Sequence, residues 1–263
     1  MQVGITQIIL PGLSFSEFAQ QSAEAGYEVV ELCMKQEGEL TLETSDSALE
    51  DLAAAVRGAG VEPVSMVHGQ CTGNLLDSGD AQKTSIEQTC KGLESAAKMG
   101  IGCTLHTLGR FTHELYYDDA YANAVNALKE IAKTAEAVNV KLAVEQVWNG
   151  FLFSPLEMRR FLDEVGSDHI GFYFDPGNMA VYHFPHHWVK ITGKHLKMVH
   201  LKDWQGNALN GGWTPLLEGG VDFAAVNKEL RALGYDGPMI SEVSPSQATL
   251  ADTATAIRKI ITM

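Results

Sequence analysis

VKLAVEQVWNGFLFSPLEMRRFLDEVGSDHIGFYFD, residues 140–175, reads as one complete strand–helix–strand unit. Its ends, 140–147 and 170–175, are short runs rich in Val, Leu, Ile and Phe without strict alternation. That is the pattern of strands buried on both faces of a parallel sheet. Between them, Ser154-Pro155 followed by Glu157 reads as a capping box that opens a helix. The Ser oxygen and the Glu carboxylate would satisfy N–H groups that the first turn leaves unpaired, and Pro has no N–H to satisfy. Both apolar runs carry an acid towards their carboxyl end, Glu145 and Asp175.

The same unit recurs in both directions along the chain. Further strands are expected at 2–9, 27–34, 62–68, 103–108, 196–202 and 238–243. Amphipathic stretches separate them: Ile86, Cys90, Leu93 and Ala97 share one helical face, as do Tyr121, Val125, Leu128, Ala132 and Ala135, and Phe223, Val226, Leu230 and Leu233. Ser14 with Glu17 forms another capping box, and Gly26, Gly60, Gly100 and Gly234 mark helix ends just before a strand. The count is eight β/α units with no linker or composition break, which predicts an α/β protein, a single (β/α)8 TIM barrel over 1–263. An open dinucleotide-binding sheet would want GxGxxG after the first strand, where Leu10-Pro11-Gly12-Leu13 stands instead.

Composition narrows the function. With 33 acidic residues against 19 Lys plus Arg, the formal charge is −14. No basic cluster offers a footprint for phosphates, which argues against nucleic acid and anionic membrane surfaces as partners. Four cysteines without CxxC spacing, in a chain too large to need staples, read as reduced thiols. No basic-then-apolar leader opens the chain and no apolar run nears the ~20 residues that span a bilayer. A cytoplasmic setting is the expectation.

In a (β/α)8 barrel the carboxyl ends of the strands converge on one mouth. Glu31, His68, His106, Glu145, Asp175, His200 and Glu242 all fall at such ends. Singly, each has an ordinary structural reading: an acid caps a helix, a lone His hydrogen-bonds in the core. Jointly, Glu145, Asp175, His200 and Glu242 come from four successive strands, with Lys202 and Arg110 as the nearby cations. Carboxylates crowded in low dielectric need a neutralising cation. One divalent metal ion is therefore expected. Three carboxylates and one imidazole suit Mn²⁺ best among hard ions that include Mg²⁺ and Co²⁺, with Zn²⁺ as an alternative.

The segments V-E-Q at 144–146, F-D-P-G-N at 174–178, V-H-L-K-D at 199–203, E-G-G-V-D-F at 218–223 and L-G-Y-D-G-P-M-I-S-E-V at 233–243 resemble the xylose-isomerase-like barrel superfamily of sugar isomerases and epimerases. G-Y-E-V-V-E-L at 26–32 extends the likeness over most of the chain. In the ketose 3-epimerase and hydroxypyruvate-isomerase-like branches, the resemblance implies, the carboxylates matching Glu145 and Glu242 ligate metal and act as the acid/base pair. Asp175 and His200 match ligand positions. It further implies a metal-dependent isomerase or epimerase of a small unphosphorylated sugar or keto-polyol, working by Glu/Glu proton transfer through a metal-bound enediolate.

The sequence departs from that pattern at two points. Asn178 stands where many relatives carry a substrate-contacting His, and an amide cannot shuttle a proton at neutral pH. No Arg follows His200 within Lys202-Asp203-Trp204-Gln205-Gly206-Asn207, as one does in the 3-epimerases. The superfamily's zinc-dependent abasic-site endonuclease needs further His ligands late in the chain, and none follows His200. Trp148, Trp204 and Trp213 are candidates for stacking on a sugar face, or for rim packing. His68 and His106 are candidates for orienting substrate or binding a second metal, or for hydrogen-bonded places in the barrel wall; Asn178, Lys202 and Glu31 are candidates for substrate contact, Glu31 equally for pairing inside the barrel. His183, His186 and His187 read as a surface cluster. Neither a P-loop nor an Arg/Lys pair at the last loops suggests phosphate binding. The expected partner is a small carbohydrate and, as an option, further copies of the chain. A dehydratase of a keto-polyol (inosose or dehydroshikimate), β-elimination of a 3-keto glycoside and a non-catalytic sugar-binding barrel are the alternative readings.

Overall fold

The computed structural model describes all residues, Met1–Met263. In chain order the strands are β1 (Gln2–Thr6), β2 (Val29–Cys33), β3 (Glu62–Val67), β4 (Cys103–His106), β5 (Lys141–Glu145), β6 (Ile170–Phe174), β7 (Leu196–Leu201), β8 (Asp203–Asn207), β9 (Asn210–Thr214) and β10 (Pro238–Ser241). All but β8 and β9 close into a parallel barrel of order β1-β10-β7-β6-β5-β4-β3-β2. The helices α1 (Phe15–Glu24), α2 (Asp46–Gly58), α3 (Gly79–Lys98), α4 (Tyr117–Ala137), α5 (Pro155–Val165), α6 (Pro176–Ala180), α7 (Pro185–Thr192), α8 (Phe223–Ala232) and α9 (Leu250–Thr262) surround it. No helix is long and apolar enough to cross a membrane.

Each expected strand is present, and each stops before its expected carboxyl end. The run expected at 2–9 leaves the ladder after Thr6, where the Thr6 hydroxyl accepts from the Ile8 N–H and opens a 3-10 turn. Asp175 and Glu242 likewise lie just past the last paired residues of β6 and β10. They sit on the rim; the Glu242 N–H still donates to the Leu201 carbonyl of β7, at 3.0 Å.

Helix punctuation follows the expected rules with two differences. The Ser14–Glu17 box is complete, and the glycines after α1, α2, α3 and α8 all have positive φ, from +73° to +97°. Ser154 caps α5 through the Glu157 N–H, but the Glu157 carboxylate accepts from the Tyr117 hydroxyl instead of completing the box. On α3 the buried face is Ser85, Thr89, Gly92, Leu93 and Ala96, rotated from the one expected through Ile86, Cys90 and Ala97, which are only partly buried.

The main apolar core has 58 buried residues and fills the shell between barrel and helices, whereas Cys33, Val67, Cys103, Leu105, Ala143, Tyr173, Met198 and Ile240 form a separate inner cluster. Side chains alternate across a strand, so Glu31, Glu145, His200 and Glu242 share the inward face with Cys33, Ala143, Met198 and Ile240. The β8–β9 hairpin was not anticipated from the sequence. It grows from the β7 loop, with Trp204 paired to Trp213 across it.

Candidate metal centre

Glu145, Asp175, His200 and Glu242 each offer one ligating atom, and the four atoms lie within 4.8 Å of one another. Asp175 shows how local structure aims such an atom. Its Oδ1 accepts from the N–H groups of Gly177 (2.8 Å) and Asn178 (3.2 Å), capping α6. Its buried Oδ2 has no partner but the Lys202 ammonium and faces the other three groups of the cluster. Asn178 donates from Nδ2 to Glu145 Oε1 (3.3 Å) and to the Gln146 carbonyl (3.2 Å). It orients Glu145, and both its N–H groups are already used there.

The interior supplies its own cations. Lys202 Nζ lies 2.9 Å from Asp175 Oδ2, off the hydrogen-bonding axis, and 2.8 Å from Glu242 Oε2. His200 Nδ1 lies 3.4 Å from Glu145 Oε1 and 3.3 Å from Glu242 Oε2, and Nε2 lies 2.9 Å from Glu31 Oε1. Burial disfavours the imidazolium, but Glu31, Glu145 and Glu242 together hold the His200 pKa well above its ordinary value. Burial raises the Glu145 carboxyl despite His200 and Lys202. On Glu242 burial is outweighed by Lys202 and His200, which lower it. Four carboxylates meet two cationic side chains, which leaves the pocket net negative when all are ionised. A carboxylate oxygen partnered by Lys202 alone, an imidazole nitrogen and two more carboxylates around one point fit a hard divalent cation.

Several residues expected near substrate stand elsewhere. Arg110 is exposed on the β4 loop and takes no part; the second cation is His200 itself. Glu31 is fully buried with both oxygens occupied, pairing inside the barrel. On β3 and β4 it is Val67 and Leu105 that face inward, so His68 and His106 point outward to the helices. The His68 ring packs where a Cβ on Gly92 of α3 would lie 2.3 Å from Nδ1, and neither ring nitrogen has a partner. His106 accepts from the Leu108 N–H at Nδ1 (2.8 Å), so its Nε2 donates to the Thr72 hydroxyl (2.9 Å). These two rings are wall residues, not mouth residues. His183 and His187 are exposed, as their surface reading has it.

The tryptophans do meet at the mouth. Trp148 stacks on Trp213 with centroids 5.0 Å apart, Trp204 sits edge-on to both, and Lys202 Nζ is 5.2 Å from the Trp213 ring centroid. Asp203 holds the hairpin base: its carboxylate accepts from the N–H groups of Trp204, Leu217, Gly219 and Val221. Gly219 of the E-G-G-V-D-F segment is required there, since a Cβ would lie 2.2 Å from Asp203 Oδ1. A cleft of about 210 Å³ reaches Glu242 and Lys202 between Trp213, Thr214, Ser244 and Gln247. A larger surface cleft of about 670 Å³ between α4 and α5 lies outside the barrel, away from these groups.

Comparison with known proteins agrees with this architecture. Residues 19–260 match the family described as Xylose isomerase-like TIM barrel, and the chain belongs to that family. Among curated proteins, an uncharacterised protein of Methanocaldococcus jannaschii is 25% identical over 126 residues, which cover 46% of this chain and 43% of that relative. The matched part is thus less than half of the relative's length. D-psicose 3-epimerase with D-tagatose, from Clostridium cellulolyticum H10, superimposes with a TM-score of 0.80 at 17% identity, covering 99% of this chain and 91% of that one. 3-Keto-D-glucoside 4-epimerase from E. coli gives 0.80 at 18%, covering 100% of both chains. The IOLI protein with a binding zinc atom gives 0.78 at 15%, covering 99% and 96%. At these identities the likeness is one of fold.

Proposed function

We propose that the protein is a divalent-metal-dependent isomerase or epimerase of a small unphosphorylated sugar or keto-polyol. The observation that carries this reading is the four-ligand cluster at the carboxyl mouth of the barrel. Glu145, Asp175, His200 and Glu242 would hold the ion. A bound divalent cation supplies Lewis-acid stabilisation of negative charge on a carbonyl and its neighbouring hydroxyl oxygen. Mn²⁺ is the ion we assign, because carboxylate-rich sets favour hard ions.

Glu145 and Glu242 belong to strands separated by β6 and β7, so they approach a molecule seated between them from different sides. One removes a proton from the carbon beside the carbonyl and the other returns one, to the opposite face or to the adjacent carbon. Asn178 keeps Glu145 in place. Lys202 balances Glu242 and Asp175 and is already paired, which leaves no free cation in the cleft for a phosphate. Thr214, Ser244 and Gln247 offer hydroxyl and amide groups to sugar hydroxyls, and Trp148 and Trp213 form an aromatic lip beside them. Four unpaired thiols support a reducing, cytoplasmic setting.

The test is a panel of free ketoses in deuterated buffer with Mn²⁺. Solvent deuterium at the carbon next to the carbonyl in recovered sugar is expected. Loss of water detected by mass would instead establish the dehydratase reading, and no exchange or turnover on any sugar, with metal bound, would leave a binding module.

A further inference from the structure

Glu31 is the acid of this centre to which the reading above gives neither a metal to hold nor a proton to move. We propose that Glu31, clamped by Ser65 and Tyr173, is a positioning residue that determines which ring nitrogen of His200 faces the metal; this rests on reading the cluster as a metal site. Ser65 Oγ and Tyr173 Oη each lie 2.6 Å from Glu31 Oε2. A carboxylate only accepts, so both hydroxyls donate to it. Oε1 is left for His200 Nε2 at 2.9 Å, which must therefore carry its hydrogen. In a neutral imidazole the lone pair then belongs to Nδ1, and Nδ1 is the atom beside Glu145 and Glu242. Glu31, Ser65, Tyr173 and His200 are all fully buried, so neither water nor substrate competes for these bonds.

The sequence builds this clamp in a specific way. Pro63 has no N–H for the ladder, and the β2–β3 register shifts beside it: Val30 pairs with Pro63, and Glu31 pairs with Ser65. Val64 is left unmatched. Without that bulge a valine would stand opposite Glu31 and one of its two hydroxyl donors would be lost. Tyr173 comes from β6, its ring centroid 4.4 Å from that of His200, so a single side chain packs the imidazole and donates to the imidazole's acceptor. Outer partners of a metal-binding His orient the ring, fix its tautomer and raise its basicity.

The experiment is Mn²⁺ titration calorimetry on the full chain as wild type, Glu31→Gln, Tyr173→Phe and Ser65→Ala. Alongside it, ¹⁵N-histidine NMR of the zinc-loaded proteins reads which nitrogen is bound. Glu31→Gln should weaken Mn²⁺ binding about 10–100-fold, with smaller losses for the two hydroxyl deletions. His200 should be ligated through Nδ1 in the wild type and lose that single signature in Glu31→Gln. An unchanged affinity and an unchanged Nδ1 signature in Glu31→Gln would overturn the proposal. If Glu31→Gln does not fold, Tyr173→Phe with wild-type affinity overturns it equally. Failure of the wild type itself to bind Mn²⁺ or zinc would instead remove the metal reading, a result visible before any variant is made.

Discussion

His200 on β7 and His106 on β4 occupy the same kind of position, the carboxyl end of a barrel strand, and both are fully buried. Their chemistry is opposite. His200 points into the barrel among Glu31, Glu145 and Glu242, which hold its pKa well above the ordinary value against the effect of burial. His106 points outward, satisfied by Leu108 and Thr72 with no charge beside it, and burial alone pushes its pKa down to about 4. One residue of register separates the two outcomes, because side chains alternate across a strand. At the inward position next to His106, β4 carries Leu105, whereas β7 carries His200 itself. Being at a strand end marks a residue as near the mouth; facing inward is what makes it part of the site.

The sharpest way to break this contrast is to remove function from the inward half alone. Glu145→Gln keeps the size of the side chain and an oxygen for Asn178, but removes the carboxylate proposed to move the proton. A loss of about 10³-fold in deuterium wash-in is expected, with the thermal unfolding midpoint little changed. Wild-type exchange in this variant would remove Glu145 from the acid/base pair. Next in size, His200→Ala should weaken Mn²⁺ binding by at least about 100-fold, since a direct ligand outweighs its outer partners. His106→Leu should leave Mn²⁺ affinity untouched while destabilising the fold by about 1–3 kcal/mol, because the Leu108 N–H and the Thr72 hydroxyl lose their partner. Calorimetry and urea denaturation read both halves of that comparison.

Acid titration probes the same difference. The His106 pKa is lower in the folded protein than the ordinary 6.5, so above 6.5 folded and unfolded chains are both neutral there and nothing is lost. As pH falls from 6.5 to about 4 the unfolded chain takes up a proton that the folded one refuses, and stability falls with it. The integrated loss is about 3 kcal/mol at 1.36 kcal/mol per pH unit. Subtracting urea-unfolding curves of His106→Leu from wild type across this window should show that loss vanish in the variant. An unaltered acid slope would mean that His106 is protonated in the native barrel.

Much of the architecture was legible because it is repetitive: eight apolar runs, capped helices and glycine stops announce themselves locally. The candidate cluster was legible because its four residues recur at strand ends whose inward parity happens to be right. The facing of His68 and His106 stayed open in the sequence because Val67 and Leu105, the residues before them, are as apolar as the strand residues that face the helices. Glu31 pairs with a histidine 169 residues away, and a bulge in the adjacent strand sets its contact with Ser65. Neither relation has a local signal. The hairpin carried one, Trp204 and Trp213 spaced around Asn207–Asn210, but two short polar strands rich in glycine do not read as sheet.

The smallest effect comes from the residue whose outward placement is most exposed to challenge. His68 is buried against Gly92, its ring 5.6 Å from that of His106, and neither nitrogen has a partner. Burial first, then His106, hold its pKa well below the ordinary value, so the ring stays neutral. A neutral imidazole still carries one N–H into this site, and an unpaired buried donor is unfavourable. Leucine fills a similar volume without a polar atom. His68→Leu should therefore be neutral or stabilising by up to about 1 kcal/mol in urea denaturation at pH 7, with Mn²⁺ affinity unchanged. Gly92→Ala, by contrast, drives a methyl group into the ring and should destabilise, and less so when combined with His68→Ala. A large loss of stability or of metal binding in His68→Leu would mean that this imidazole has a partner, and that β3 contributes to the mouth after all.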